Sequence, residues 1–357
     1  MTHQDVAHVR LVNQLLINGK AKTPDEVVSH LGCVQAQDYA GGELSIGLRL
    51  YNSTLADVEH SIANRKVVRT WAMRGTLHFV AAADTRWILE LLAPDIIAGI
   101  ARRYRELELD DATLTKSNSV LARTLRDGKQ MTRSELAAEL EKNGISCEGQ
   151  RAAHILQRAS LDRIICFGVT HTKQTHVLFE EWLPRAKSMP REESLAELTR
   201  RYFASHGPAT IQDYMWWSGL KASDAKAGLD MTKSEFEQST VNGQPYWMPS
   251  KNSSGKAAGP VACLLPAFDE FILGYKDRSA SVSPDLSAHL RTGGIPDQII
   301  VIEGKVVGTW RRALKKNNVV LKITLSTRLK KKEKAGLDMA IERYGEFVRR
   351  VPIVTFA

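Results

Sequence analysis

The sequence predicts an α+β protein: helical units, each closed by a β-hairpin, followed by a β-rich C-terminal domain. Three observations carry that expectation. Amphipathic helical segments near the N-terminus run into two alternating β-rich stretches around Arg74-Gly75, and the same order recurs twice, more faintly, before residue 250. A small polar stretch at 251–256 then separates this part from four β-branched runs. At 357 residues, with 43% apolar side chains, the chain exceeds what one hydrophobic core usually serves. We therefore divide it at 1–108, 109–190, 191–250 and 256–357.

Taken in order, residues 8–17 place Val9, Val12, Leu15 and Leu16 on one helical stripe that ends near Asn18-Gly19. Thr23-Pro24-Asp25-Glu26 opens a second helix with a capping residue, a proline at the first helical position and early acids, and Gly32 stops it. Short helical patterns follow at 41–50 and 55–63. Residues 67–72 and 76–80 alternate around the Arg74-Gly75 turn as a hairpin. Helices closed by a hairpin are the order of a winged helix, the helix-turn-helix variant whose hairpin is the wing. A long helix at 84–105 leads to the second unit, where Thr132 stands three residues before Glu135 as a capping box, with a helix at 151–161 and strands at 164–169 and 176–179. The third unit begins at Ser194, passes Gly207-Pro208-Ala209-Thr210 and Trp216-Trp217, and ends in strands at 236–241 and 246–248. Beyond it, strands at 261–265, 298–303, 305–310 and 319–325 form a small antiparallel sheet or barrel, closed by a helix at 330–348.

The net charge of +9 favours an anionic partner such as nucleic acid. Residues 303–350 hold 14 Lys+Arg against five Asp+Glu, a surplus equal to that of the whole chain. The electrostatic footprint is thus local. Arg311, Arg312, Lys315 and Lys316 sit at the rim of a hairpin around Asn317-Asn318, where they can hold phosphates. Four scattered cysteines form no CxxC pair, so they read as buried thiols, and neither a disulfide framework nor a metal site is indicated. No apolar run of about 18 residues spans a bilayer and no signal peptide is visible, which points to a soluble cytoplasmic protein. Three units in one chain reduce the need for a dimer, so a monomer is expected.

Cys33-Val34-Gln35-Ala36-Gln37-Asp38-Tyr39 is the most unusual stretch. Amide side chains donate and accept hydrogen bonds without titrating near neutrality, so any role of Gln35 and Gln37 is positional. In an extended segment both project to one side, with Val34, Ala36 and Asp38 opposite; in a helix they diverge by about 200°. The bland alternative is that they satisfy backbone groups at a helix end.

Five stretches together resemble the AlkZ/YcaQ-like family of winged-helix DNA glycosylases. They are the Gln35 to Tyr39 segment; Thr70-Trp71-Ala72-Met73-Arg74-Gly75-Thr76-Leu77-His78; Gly207-Pro208-Ala209-Thr210 with Trp216-Trp217-Ser218-Gly219; Leu264-Leu265-Pro266-Ala267-Phe268-Asp269-Glu270-Phe271 with Gly274-Tyr275-Lys276-Asp277-Arg278; and Val306-Val307-Gly308-Thr309-Trp310-Arg311-Arg312. The resemblance implies tandem winged helices and a β-rich domain around a basic concave surface that binds double-stranded DNA. It implies monofunctional hydrolysis, without cofactor, of the N-glycosidic bond of N7-alkylated purines, extending to interstrand crosslinks, in a nucleoid-associated enzyme. Gln35 and Gln37 match the catalytic glutamine-apolar-glutamine form; YcaQ-type members carry aspartate at the second position, whereas here Asp38 is the next residue. Asp38 reads either as a base or electrostatic stabiliser, or as the cap of the following turn.

Among other candidates, Arg74 and His78 on the first wing can approach the lesion or a phosphate, or serve structure alone. Trp216-Trp217 fits core packing better than base stacking. Asp269-Glu270 invites a glycoside-hydrolase reading that no sugar-binding aromatic pattern supports. The different-class alternative is a non-enzymatic winged-helix DNA-binding or regulatory protein.

Overall fold

The structure is a computed structural model that describes residues 1–17, 19, 21–169, 174–185, 188–250, 261–284, 286 and 298–357. The expected linker at 251–256 lies outside the described residues.

The N-terminal part runs α1 (His3–Asn13), α2 (Pro24–Leu31), β1 (Val34–Gln35), α3 (Tyr39–Gly47), α4 (Leu55–Ala63), β2 (Val67–Trp71) and β3 (Leu77–Ala81). Helix α1 starts five residues earlier than expected because Thr2 and Asp5 form a reciprocal capping box, and it leaves at Asn13 before Leu15 turns to φ 61°. Gly32, at φ 83°, ends α2 as its position suggested. The chain then turns into β1, which adds to the hairpin in the order β1-β3-β2, so the expected hairpin is a three-stranded sheet.

Helix α5 (Ala82–Glu106) leads to α6 (Asp111–Thr124), β4 (Met131–Thr132), α7 (Arg133–Lys142), α8 (Arg151–Leu161), β5 (Ile165–Phe167), β6 (Thr175–Leu178) and the single turn α9 (Phe179–Trp182). The Thr132–Glu135 box is present as read, with the Glu135 carboxylate 2.7 Å from the Thr132 amide. Helix α6 was not anticipated; its Leu114, Val120 and Leu121 are spaced among polar residues and become a core face only against α7 and α8. A third group holds α10 (Arg191–His206), α11 (Ile211–Ser218), the unanticipated α12 (Ala222–Thr232) and the hairpin β7 (Phe236–Val241) with β8 (Gln244–Pro249).

The C-terminal part comprises β9 (Ala262–Leu265), the turn α13 (Glu270–Leu273), β10 (Ile299–Ile302), β11 (Lys305–Leu314), β12 (Asn318–Leu325), α14 (Lys331–Val348) and β13 (Val351–Phe356). Its sheet runs β13-β12-β11-β10-β9, antiparallel except for β13, an unexpected last strand that lies parallel to β12. The crossover is α14, whose Leu337, Ile341, Tyr344 and Phe347 cover the inner face of the sheet. One hydrophobic cluster takes in these residues together with Leu11, Val28, Val34, Ile46 and Phe79 of the N-terminal part. The two ends of the chain are therefore packed as one body, and that packing sets the surroundings of the glutamine segment.

Candidate active site and nucleic-acid interface

Between the stop at Gly32 and the start of α3, the chain is strand at Val34–Gln35, stays bonded to β3 through the Ala36 amide, and bends at Gln37 and Asp38, so the two-residue period of a strand holds only as far as Ala36. Val34 and Ala36 are fully buried, Gln35 is half-buried and Gln37 is exposed. Gln35 stands opposite His78 on β3, which stands opposite Thr70 on β2. A row of three polar side chains thus crosses one face of the sheet. Gln35 Oε1 and Thr70 Oγ1 are both buried without a protein partner.

Asp38 occupies the N-cap position of α3, yet its side chain makes no capping hydrogen bond. The capping alternative is therefore not what its carboxylate does. Two glycines make room around the segment. A Cβ on Gly41 would lie 2.6 Å from Asp38 Oδ2, and one on Gly42 would lie 2.8 Å from the Phe79 ring and 3.0 Å from the Gln35 carbonyl. The Ala36 carbonyl is held by Arg69, whose Nε and Nη2 donate at 3.0 and 2.8 Å.

Behind the segment lies a carboxylate that sequence reasoning did not connect to it. The amide of Gln35 donates to Glu270 Oε1 at 3.2 Å, and the indole of Trp217 donates to Glu270 Oε2 at 2.9 Å. His206 Nε2 lies 3.5 Å from the same oxygen. Burial works to raise the Glu270 pKa, but His206, His78 and Arg74 outweigh it and hold the carboxyl below its ordinary value. Burial, with Arg74 adding to it, pushes the His78 pKa down to about 4, so that imidazole is neutral at physiological pH. The adjacent Asp269 belongs to a different network, a buried pair with Arg49 at 2.8 Å that also accepts from Ser45 at 2.7 Å.

Arg74 and His78 require a correction of placement. The tip of the β2–β3 hairpin is not a free wing; Arg74 Nη1 donates to the Trp217 carbonyl at the end of α11, and its Cγ lies against Gly219. His78 is 2% exposed, with Nδ1 at 3.0 Å from the Thr76 carbonyl. Packing of the hairpin tip onto α11 leaves Arg74 half-buried, and His78 is buried, so neither stands on a free wing. The tryptophans divide: Trp217 is in the core and Trp216 is 47% exposed.

The basic hairpin is β11–β12, with Lys315 donating its amide to the Asn318 carbonyl at the turn. Arg311, Lys315 and Lys316 are exposed. Arg312 is on the other side of the strand, half-buried, donating to the Tyr344 hydroxyl at 3.0 Å. Its charge acts on Glu43 of α3, a residue 4% exposed with Oε1 unpartnered. Strand alternation therefore separates two arginines that are adjacent in sequence. Among the described residues, no cluster of His, Cys, Asp and Glu is arranged to hold a metal ion, and no helix is long and apolar enough to cross a membrane. All four cysteines are buried and free.

Residues 28–347 match the family model described as DNA glycosylase AlkZ-like. The chain belongs to the AlkZ-like DNA glycosylase family. An interstrand DNA cross-link repair glycosylase of Streptomyces sahachiroi is 26% identical over 331 residues, spanning 84% of this chain and 85% of that protein. The solved structure of S. sahachiroi DNA glycosylase AlkZ superposes with a TM-score of 0.81 at 21% identity, covering all of both chains. This AlkZ-like chain therefore has the AlkZ fold from end to end. Membership of a DNA glycosylase family implies a DNA substrate.

Proposed function

We propose that this AlkZ-like protein is a monofunctional DNA glycosylase that hydrolyses the N-glycosidic bond of N7-alkylated purines and unhooks interstrand crosslinks, with Gln35 and Gln37 positioning the attacking water. The observation that carries the reading is the state of Gln35: its amide is held by Glu270 and the carbonyl of the next residue, Ala36, by Arg69, while its buried Oε1 has no protein partner. An immobilised acceptor of that kind serves to orient a solvent molecule.

Alkylation at N7 puts a positive charge on the purine. When the bond from the sugar C1′ to the base breaks, its electron pair neutralises that charge, so the base departs without prior protonation. Water forms the new bond to C1′ and gives up a proton. The amides cannot take it; the Asp38 carboxylate, not engaged in capping, is the acceptor and also opposes the positive charge that builds on the sugar. Holding water and sugar in line can contribute up to about 7 to 11 kcal/mol in favourable cases. No lysine stands in the Cys33–Tyr39 segment, so it supplies no amine for a Schiff base, in keeping with hydrolysis alone.

In this reading the three helical groups with their small sheets are tandem winged helices, the β11–β12 hairpin engages phosphates through Arg311, Lys315 and Lys316, and the protein works as a monomer. Arg74 and His78 support Gln35 from behind. The test is incubation with duplex DNA containing N7-methylguanine, followed by alkaline cleavage at abasic sites. Base release by the wild type, lost in Gln35→Ala and in Gln37→Ala while DNA binding persists, is the expected result. Tight binding without release overturns it and leaves a DNA-binding module.

A further inference from the structure

Strand β1 is the edge of its sheet, and its amides alternate in direction. The Ala36 amide points inward, donating to the Leu77 carbonyl of β3 at 2.8 Å. The Gln35 amide therefore points away from the sheet, where an edge strand ordinarily meets water. Here it meets Glu270, which is 2% exposed and comes from a turn 235 positions further along the chain. A buried carboxylate is costly to desolvate, and packing alone would be served as well by an apolar residue. We propose that Glu270 is a positioning residue of the glycosylase reaction, fixing the backbone of Gln35 so that its side-chain amide is held in place for water; this rests on the function proposed above.

What makes a carboxylate necessary is that both of its oxygens accept. Oε1 takes the Gln35 amide and Oε2 takes the Trp217 indole, two donors arriving from opposite parts of the chain, while His206 Nε2 stands 3.5 Å from Oε2. A glutamine in this place has the same size but only one acceptor. Turned one way, its NH2 group faces the Gln35 amide and that anchor is lost; turned the other way, the NH2 group is pushed off by the Trp217 indole N–H, so the hold on Gln35 is weakened in both orientations. Trp217 is itself locked among Tyr202, Tyr214 and His206, with ring centroids 5.0, 6.4 and 5.2 Å away. Glu270 thus ties the edge strand to the aromatic core between α10 and α11.

The decisive comparison is Glu270→Gln against Glu270→Gln combined with Trp217→Phe. Removing the indole N–H takes away the donor that opposes the amide, so the glutamine oxygen can turn to Gln35. In Glu270→Gln, single-turnover release of N7-methylguanine is expected to fall about 10- to 100-fold, with the dissociation constant for the same DNA within about twofold of wild type. Hydrogen exchange at the Gln35 amide is expected to quicken. In the double variant both the rate and the amide protection recover at least in part, although it carries more substitutions. A Glu270→Gln protein as fast as wild type, or a double variant no faster and no better protected than the single one, overturns the assignment. A wild type that releases no base at all instead overturns the glycosylase reading itself, so the two failures are distinct.

Discussion

The guanidinium of Arg69 grips the carbonyl oxygen of Ala36 with two nitrogens, at 3.0 and 2.8 Å, and so clamps the residue that separates Gln35 from Gln37. Arg69 is 5% exposed, and its guanidinium also lies 4.9 Å from the Phe167 ring. The clamp joins the glutamine segment to β2 and to the sheet of the second helical group.

Arg69→Lys keeps the charge but replaces a planar fork with a single flexible donor. We expect a loss of about 1–3 kcal/mol in stability and a larger proportional fall in base release than in DNA affinity. Urea denaturation and single-turnover assays on the same preparation measure both. Unchanged release would show that the Ala36 carbonyl does not govern the glutamines.

The Arg49–Asp269 pair is fully buried and links the chain just beyond α3 to the residue before α13. Asp269→Ala leaves the arginine charge uncompensated and is expected to cost about 3–5 kcal/mol. Burial by itself would raise the Asp269 pKa, but the charge and hydrogen bonds of Arg49, with those from Phe271 and Ser45, hold it below the ordinary 3.8. The pair's contribution is therefore full above that ordinary value and is lost as the pH falls through the lower folded value. Melting curves from pH 7 down to 3 should show a steeper acid loss for wild type than for Asp269→Asn.

Glu43 has the opposite sign. Burial first, and then Glu59 and Asp38, push its pKa up to about 8, against the opposing charge of Arg312. Between the ordinary value of 4.5 and about 8, the folded protein holds a proton that the unfolded chain has released, so stability falls as the pH rises through that window. Glu43→Gln should raise the thermal midpoint by about 2–4 °C at pH 8 and change it little at pH 5. Equal shifts at both pH values would mean that Glu43 does not titrate there.

Replacing Arg311, Lys315 and Lys316 with glutamine should weaken binding to all duplexes alike. Each lost phosphate contact should reduce the slope of log affinity against log salt by about 0.9. Arg312→Gln, which instead breaks the bond to Tyr344, should lower stability more than it flattens that slope. An unchanged slope in the triple variant would place the DNA elsewhere.

The sequence alone determined the elements whose signals are local: the Pro24 and Thr132–Glu135 helix starts, the Gly32 stop, the alternating strands around Arg74-Gly75, the basic hairpin at Asn317-Asn318, and the suspicion attached to Gln35 and Gln37. The helix read at 8–17 begins earlier, at His3, where Thr2 and Asp5 three apart form a local start signal that lies ahead of the apolar stripe. What only the tertiary structure decided are the contacts between distant segments. Strand β1 exists because β3 is there to pair with it, and β13 because α14 returns the chain beside β12. Arg74 is half-buried because α11 packs on the tip of its hairpin. Glu270 reads in sequence as half of an acidic pair. It becomes the partner of Gln35 only when a hydrophobic core shared by both ends of the chain brings position 270 against position 35. Periodicity and capping act over a few residues, whereas a buried hydrogen bond is selected by the whole packing around it, and no local pattern records it.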